Sequence, residues 1–136
     1  FNIIIAQDDD GGIFLIEEYR YPIKKEIWQL PMGIIEKKET PIESAKKELK
    51  EETGVIAENL EEIGEFYPCP GKLAGKAHVL LAKDLDTKNI GIIQDGDESI
   101  WRLKKISLEE VKKMIEKNEI RSGETLAALS MYLNEV

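Results

Sequence analysis

Residues 33–55 read GIIEKKETPIESAKKELKEETGV, and this stretch contains the start, the faces and the end of one helix. Thr40 can cap the helix, Pro41 fits its first position, and Glu43, three residues after Thr40, completes a capping box. Gly54 supplies the left-handed residue that commonly ends a helix. The sequence therefore predicts a helix between Thr40 and Gly54.

The predicted helix has one acidic stripe and one apolar stripe. Glu48, Glu51 and Glu52 share the acidic stripe, because residues three and four apart are neighbours on a helix surface. Like charges at this spacing repel by about 0.2–0.5 kcal/mol per pair, and a bound divalent cation would turn that repulsion into attraction. A solvated charged face is the alternative use of such a stripe. The residues of the predicted buried stripe are Ile42, Ala45 and Leu49.

The whole segment resembles the Nudix box, whose pattern is G-x5-E-x7-R-E-U-x-E-E-x-G-U, where U is aliphatic. Gly33, Glu39 and the run KELKEETGV at 47–55 match it, except that Lys47 stands where the family has Arg. The resemblance implies a hydrolase that holds Mg²⁺ or Mn²⁺ against a nucleoside diphosphate joined to a further group. Lys47 keeps the positive charge of the family's Arg without its bidentate fork, and we expect it to reach Glu51 one turn away.

The resemblance also assigns roles within the predicted site. It gives Glu48 and Glu52 as the main metal ligands, with Glu51 beside them, and the backbone carbonyl of Met32 as a further ligand. Carboxylate oxygens suit both cations. Glu52 and Lys47 are predicted catalytic residues on the box helix.

Sequences outside the box resemble the ADP-ribose pyrophosphatases of this family. They are EEYRYP at 17–22, WQLPMG at 28–33, YPCPG at 67–71 and IRSGETLAAL at 120–129. The implied reaction releases AMP and ribose 5-phosphate from ADP-ribose. In that subfamily the catalytic base comes from an acidic loop before the last strand. Here the loop is QDGDE at 94–98, which gives Glu98 as the candidate base and Asp97 as the next.

Three residues are predicted to contact the substrate. The planar fork of Arg20 matches phosphate geometry, although a surface salt bridge is the alternative. Trp28 can stack on adenine, or it can pack in the core. Pro70 occupies the position at which the subfamily has a proline. The sole histidine, His78, lies in an apolar segment and is predicted to be structural.

Two positions depart from the pattern of the subfamily. Gln29 and Gly75 stand where glutamate is frequent, and Gly75 lies between Lys72 and Lys76, which makes its loop basic. This difference favours another sugar or an extra phosphate on the group that is cleaved from the nucleotide.

Length and charge limit the classes of partner. The 136 residues predict a single Nudix hydrolase domain over 1–136. The net charge of −8 disfavours nucleic acid as a partner but is compatible with a small anionic nucleoside diphosphate sugar escorted by a metal. Cys69 is the only cysteine, which fits a cytoplasmic location. We expect no membrane partner, because no apolar run is long enough to span a bilayer.

The predicted fold class is α/β, a Nudix-type α/β/α sandwich with a mixed β-sheet. Strands at 2–6 and 13–19 are predicted to form a hairpin. Further predicted elements are strands at 27–30, 62–67, 77–82 and 100–106, and helices from Ser107 and over 123–136. A homodimer is one possible assembly. Two other functions remain open: an ADP-ribose sensor that does not cleave its ligand, and a hydrolase of nucleoside triphosphates or of capped RNA, the latter disfavoured by the acidic charge.

Overall fold

The computed structural model describes residues 1–91 and 100–135, which form three α-helices, one 3-10 helix (Tyr21–Ile23) and seven strands. The strands are β1 (Asn2–Ala6), β2 (Ile13–Arg20), β3 (Lys25–Gln29), β4 (Met32–Gly33), β5 (Ile56–Phe66), β6 (Ala77–Asp86) and β7 (Ile100–Ile106). The helices are α1 (Pro41–Thr53), α2 (Leu108–Glu116) and α3 (Gly123–Glu135).

The strands form two sheets. One sheet is mixed, in the order β4-β1-β6-β5, with β1 parallel to β6 and the other pairs antiparallel. The other sheet is antiparallel, in the order β3-β2-β7. The mixed sheet and the helices confirm the predicted α/β class, and the separate antiparallel sheet is an addition to it.

The predicted hairpin of the first two strands is wrong. β1 and β2 lie in different sheets, and an isolated bridge joins Gln7, just after β1, to Ile13 at the start of β2. All five residues of β1 are buried, so both of its faces are covered. Because the backbone N–H and C=O groups of a buried strand must be hydrogen-bonded, β1 needs a neighbouring strand at each edge. β4 and β6 are these neighbours. The period-two pattern around a turn could not reveal this choice of partners.

Two apolar clusters lie on opposite faces of β1. Ile3 and Ile5 belong to a cluster that includes Leu129 and Tyr132 of α3. Ile4 and Ala6 belong to a second cluster, which includes Ala45 and Leu49 of α1. Helices therefore cover both faces of the mixed sheet, as the sandwich requires.

Helix α1 begins and ends where the sequence predicts. The Thr40 and Glu43 side chains form a reciprocal capping box, and Gly54 adopts a φ of 78° at the C-terminal cap. The expected burial of Ile42 is wrong, because this residue lies in the first turn and is 40% exposed. Ser44 and Thr53 are buried instead, so hydrogen-bonded polar groups complete the inner face of the helix.

Strands β5 and β6 are longer than predicted. β5 begins at Ile56 and β6 continues to Asp86. β5 lies at the edge of the mixed sheet, and most of its residues are exposed or half-buried, so its first half carries little apolar signal.

No helix within the described residues is both long and apolar enough to cross a membrane.

Candidate active site

The acidic stripe of α1 faces strand β4. The Met32 N–H donates a hydrogen bond of 3.2 Å to Glu52 Oε2. Gly33 lies so close to Glu48 that a Cβ at this position would collide with the Glu48 side chain. The first glycine of the box is thus explained by the room that a carboxylate needs beside it.

The electrostatic environment of Glu52 is unusual. Burial raises the pKa of its carboxyl to about 9, and the negative charges of Glu18 and Glu48 add to this increase. The Met32 N–H and Arg20 act in the opposite direction. The carboxyl groups of Glu18, Glu48 and Glu52 therefore lie near one another, and that of Glu52 is largely buried. Carboxylate oxygens are the ligands that hard divalent cations prefer, so the donor set fits Mg²⁺ or Mn²⁺.

Lys47 contacts the loop before the helix. Its Nζ lies 2.7 Å from Glu39 Oε1 and 3.8 Å from Glu36 Oε1. The expected contact with Glu51 is therefore not the one that forms, because the loop brings Glu39 alongside the helix and offers a closer partner. The hydrogen bond holds the pKa of Glu39 below its usual value and raises the pKa of Lys47. Lys47 thus connects the loop and the helix of the box.

Arg20 belongs to a hydrogen-bonded network on β2 and β3. Its Nε donates to Gln29 Oε1 at 3.0 Å, and Gln29 Nε2 donates to Glu18 Oε2 at 2.8 Å. The Arg20 guanidinium also lies 3.5 Å from Glu18. Gln29 is 1% exposed, so it fixes both charged side chains from a buried position.

A groove of about 620 Å³ adjoins this network. Its walls include Glu18, Arg20 and Gln29 on one side, together with Met32 and Gly33 of β4. Further lining residues are Pro22, Ile23, Ile27, Ile34 and, near the start of α3, Arg121, Ser122, Gly123 and Glu124. Its volume falls within the range of small-molecule sites in proteins, roughly 300–1,000 Å³. The groove can therefore receive a nucleotide-sized ligand beside the acidic stripe.

Several predicted site residues lie elsewhere or outside the described part of the chain. The Trp28 ring packs against the apolar cluster of α3, and the Arg102 guanidinium lies 5.4 Å from its centroid. Trp28 and the exposed Pro70 do not line the groove. Residues 92–99, which contain Glu98 and Asp97, are outside the described residues. The roles predicted for Trp28, Pro70 and Glu98 stay predictions.

Sequence reasoning missed two charged residues of the site. Glu18 could have been found, because alternate residues of a strand share a face and Arg20 was already a candidate. Arg121 lies in the connection between α2 and α3, where no periodic pattern marks it. Only the fold shows that this connection reaches the groove.

A separate group of possible metal ligands lies on β5 and β6. Ligand atoms of Glu62, Glu65 and His78 are all within 4.8 Å of one another. His78 Nδ1 is 2.8 Å from Glu62, and Lys76 pairs with Glu65 at 3.0 Å. None of these residues belongs to the box, so the metal site predicted on α1 rests on its own glutamates.

Comparisons with known proteins agree with the box pattern. The family model of the NUDIX domain matches residues 1–129. An ADP-ribose pyrophosphatase of Bacillus subtilis (strain 168) is 33% identical over 126 residues, covering 93% of this chain and 68% of the relative. A methanol dehydrogenase activator of Bacillus methanolicus matches with the same identity and coverage. A crystal structure of an ADP compounds hydrolase, 23% identical, has a TM-score of 0.86 over 98% of this chain and 70% of its own.

Proposed function

We propose that this chain, which belongs to the Nudix family and is a Nudix pyrophosphohydrolase, cleaves a nucleoside diphosphate sugar, with ADP-ribose as the preferred substrate. The products would be AMP and ribose 5-phosphate. The Bacillus subtilis relative, named an ADP-ribose pyrophosphatase, supports this substrate.

One observation carries the proposal. Glu52 and Glu48 face β4, and next to them a groove is lined by Arg20 and a buried Gln29. Burial and the nearby carboxylates of Glu18 and Glu48 raise the pKa of Glu52. A site with this charge and this shape suits a pyrophosphate that arrives with a divalent cation.

The residues that would hold the cation are Glu48, Glu51, Glu52 and the carbonyl of Met32. When bound, Mg²⁺ or Mn²⁺ neutralises charge on phosphoryl oxygens and lowers the pKa of a water that attacks phosphorus. The Met32 N–H orients the Glu52 carboxylate, and Lys47 fixes the loop through Glu39. These contacts would hold the ligand set in place before substrate arrives.

The remaining residues would bind substrate and move a proton. Arg20, held by Gln29, would contact a phosphate or the ribose. Trp28 and Pro70 are kept as proposed substrate contacts. Glu98 is proposed as the base that takes a proton from the attacking water, with Asp97 as the alternative. The cytoplasmic location and the homodimer also stay predictions.

The test of the substrate is a panel assay with purified protein. It covers ADP-ribose, other nucleotide sugars, dinucleoside polyphosphates and nucleoside triphosphates, each with Mg²⁺, with Mn²⁺ and with chelator. We expect AMP release to be fastest from ADP-ribose and to stop with chelator. Binding of ADP-ribose without release of AMP under either metal would establish the sensor function instead. Faster cleavage of a nucleoside triphosphate would move the chain to another class of Nudix hydrolase.

The test of the base is Glu98→Gln, with Asp97→Asn as its partner variant. Loss of a positioned base lowers turnover by about 10²–10⁴-fold. Unchanged turnover in Glu98→Gln, combined with a large loss in Asp97→Asn, would transfer the role to Asp97.

A further inference from the structure

The groove beside the box contains two arginines whose situations differ. Arg20 is already engaged, because Gln29 accepts its Nε–H and Glu18 lies 3.5 Å from its guanidinium. Arg121 lines the same groove, and no residue in the described ranges 1–91 and 100–135 forms an ion pair or hydrogen bond with its side chain. Of the two arginines that line the groove, Arg121 is therefore the one whose side chain has no partner within the described part of the chain.

The backbone around Arg121 is firmly anchored on both sides. Ile120, 1% exposed, forms a parallel bridge with Trp28 of β3. Ser122, 5% exposed, accepts the backbone N–H of Thr125 through its Oγ. Thr125 in turn accepts the Leu30 N–H at 3.1 Å. An exposed arginine between two buried, bonded neighbours starts from a fixed position, so little backbone entropy is lost when it binds.

The charge of the protein gives this position its importance. With a net charge of −8, the molecule as a whole repels a diphosphate, and the acidic stripe adds to the repulsion before a cation arrives. A guanidinium on the groove wall offsets this locally. Its planar fork also matches two oxygens of a phosphoryl group at once.

We propose that Arg121 is a substrate-binding residue that holds a phosphoryl group of the nucleoside diphosphate sugar. The proposal rests on the proposed function of the groove. It assigns to the α2–α3 connection a direct part in binding, and it places the two arginines in different roles. Arg20 contacts the ligand while it is also bound by Gln29 and Glu18, and the side chain of Arg121 pairs with the ligand alone.

The first experiment compares Arg121→Ala with the unaltered protein in steady-state hydrolysis of ADP-ribose with Mg²⁺. We expect KM to rise about tenfold or more, as for a lost charged hydrogen bond, while kcat changes by less than about twofold. Arg121→Lys keeps the charge without the fork and should restore part of the affinity. Lys117→Ala is the matched control, because it removes a charge from the same connection outside the groove, and it should leave both constants unchanged. Equal KM values for Arg121→Ala, Lys117→Ala and the unaltered protein would overturn the proposal.

The second experiment separates this proposal from the proposed reaction. Chelator-treated protein, which does not turn over, is titrated calorimetrically with AMP and with ribose 5-phosphate. We expect Arg121→Ala to weaken the binding of one of the two, which identifies the half of the substrate that the arginine holds. The role of Arg121 would be overturned if Arg121→Ala and the unaltered protein bound AMP and ribose 5-phosphate equally. It would also be overturned if neither protein bound either compound detectably. Absence of AMP release from ADP-ribose in the first experiment would instead overturn the reaction and leave this titration as the decisive test.

Discussion

Two glutamates of the box, Glu39 in the loop and Glu52 on helix α1, have opposite electrostatic surroundings. At one, Glu39 of the loop accepts a hydrogen bond from Lys47 at 2.7 Å, and the pKa of Glu39 falls below its usual value. At the other, Glu52 lies near Glu48 and Glu18, and its pKa rises to about 9. In the first arrangement a cationic partner lowers the pKa of the carboxyl group, and in the second burial and two nearby carboxylates raise it.

The difference shows how one box of residues serves both structure and chemistry. Lys47 and Glu39 bind each other and so fix the loop relative to the helix. Burial holds a proton on Glu52 beside Glu48 and Glu18, and a bound divalent cation would displace that proton and stabilise the ionised carboxylate.

The largest effect is expected from Glu52→Gln. Loss of a ligand to the cation should lower AMP release from ADP-ribose by about a hundredfold or more, while ADP-ribose still binds. The measurement is steady-state kinetics together with calorimetric binding. Glu116→Gln, an exposed change at the end of α2, is the matched control and should be silent. Activity retained in Glu52→Gln would mean that the helix face with Glu48 and Glu52 is not the catalytic face.

The next effect concerns the stability of chelator-treated protein as pH changes. The pKa of Glu52 is about 9 in the folded protein against an ordinary value of 4.5. Between these values the folded protein keeps a proton that the unfolded chain has released. The free energy of unfolding should therefore fall as pH rises from about 5 to about 9, by at most about 1.4 kcal/mol per pH unit.

Urea unfolding at several pH values measures this slope. Glu52→Gln, which cannot titrate, should flatten it, and saturating Mg²⁺ should reduce it, because a bound cation replaces the proton. A slope that is the same in Glu52→Gln and the unaltered protein would assign the pH dependence to another group.

The smallest effect is expected at the ion pair of Lys47 and Glu39. Lys47→Met should slow AMP release by about fivefold to tenfold, because the loop is no longer fixed against the helix. Lys47→Arg should keep full activity, since a guanidinium can make the same contact in bidentate form. Lys46→Met removes an exposed lysine from the same helix and serves as the control. A loss in Lys47→Met as large as that in Glu52→Gln would show that the two sides do not differ in function.

Local signals in the sequence predicted the box helix well. The cap at Thr40, the terminating Gly54 and the shared face of Glu48 and Glu52 all follow from residues within one or two turns. The pairing of Lys47 was predicted wrongly for the same reason, since a rule based on helix spacing considers only partners on the helix. Glu39 reaches Lys47 from a loop, and loop paths do not follow from periodicity.

Partners that are distant in the sequence were the least predictable. β1 was paired with its neighbour in the chain, but its burial on both faces required β4 and β6. The contribution of Gln29 to the site depends on β2 and β3 lying side by side, and that of Arg121 on the docking of α3 against Leu30. These are properties of the assembled sheets rather than of any short segment.

The parallel pairing of β1 with β6 has a consequence for the order of folding. The His78 N–H donates to the Phe1 carbonyl at 2.9 Å although the two residues are far apart in the sequence, and β1 lies between β4 and β6. Closing so long a loop costs chain entropy before any contact repays it, and pairings of this kind slow folding. During synthesis, the complete box is made before the strand that completes the neighbourhood of β1. We therefore expect the ability to hold a cation to appear late in folding, after Ala77–Asp86 has joined the sheet.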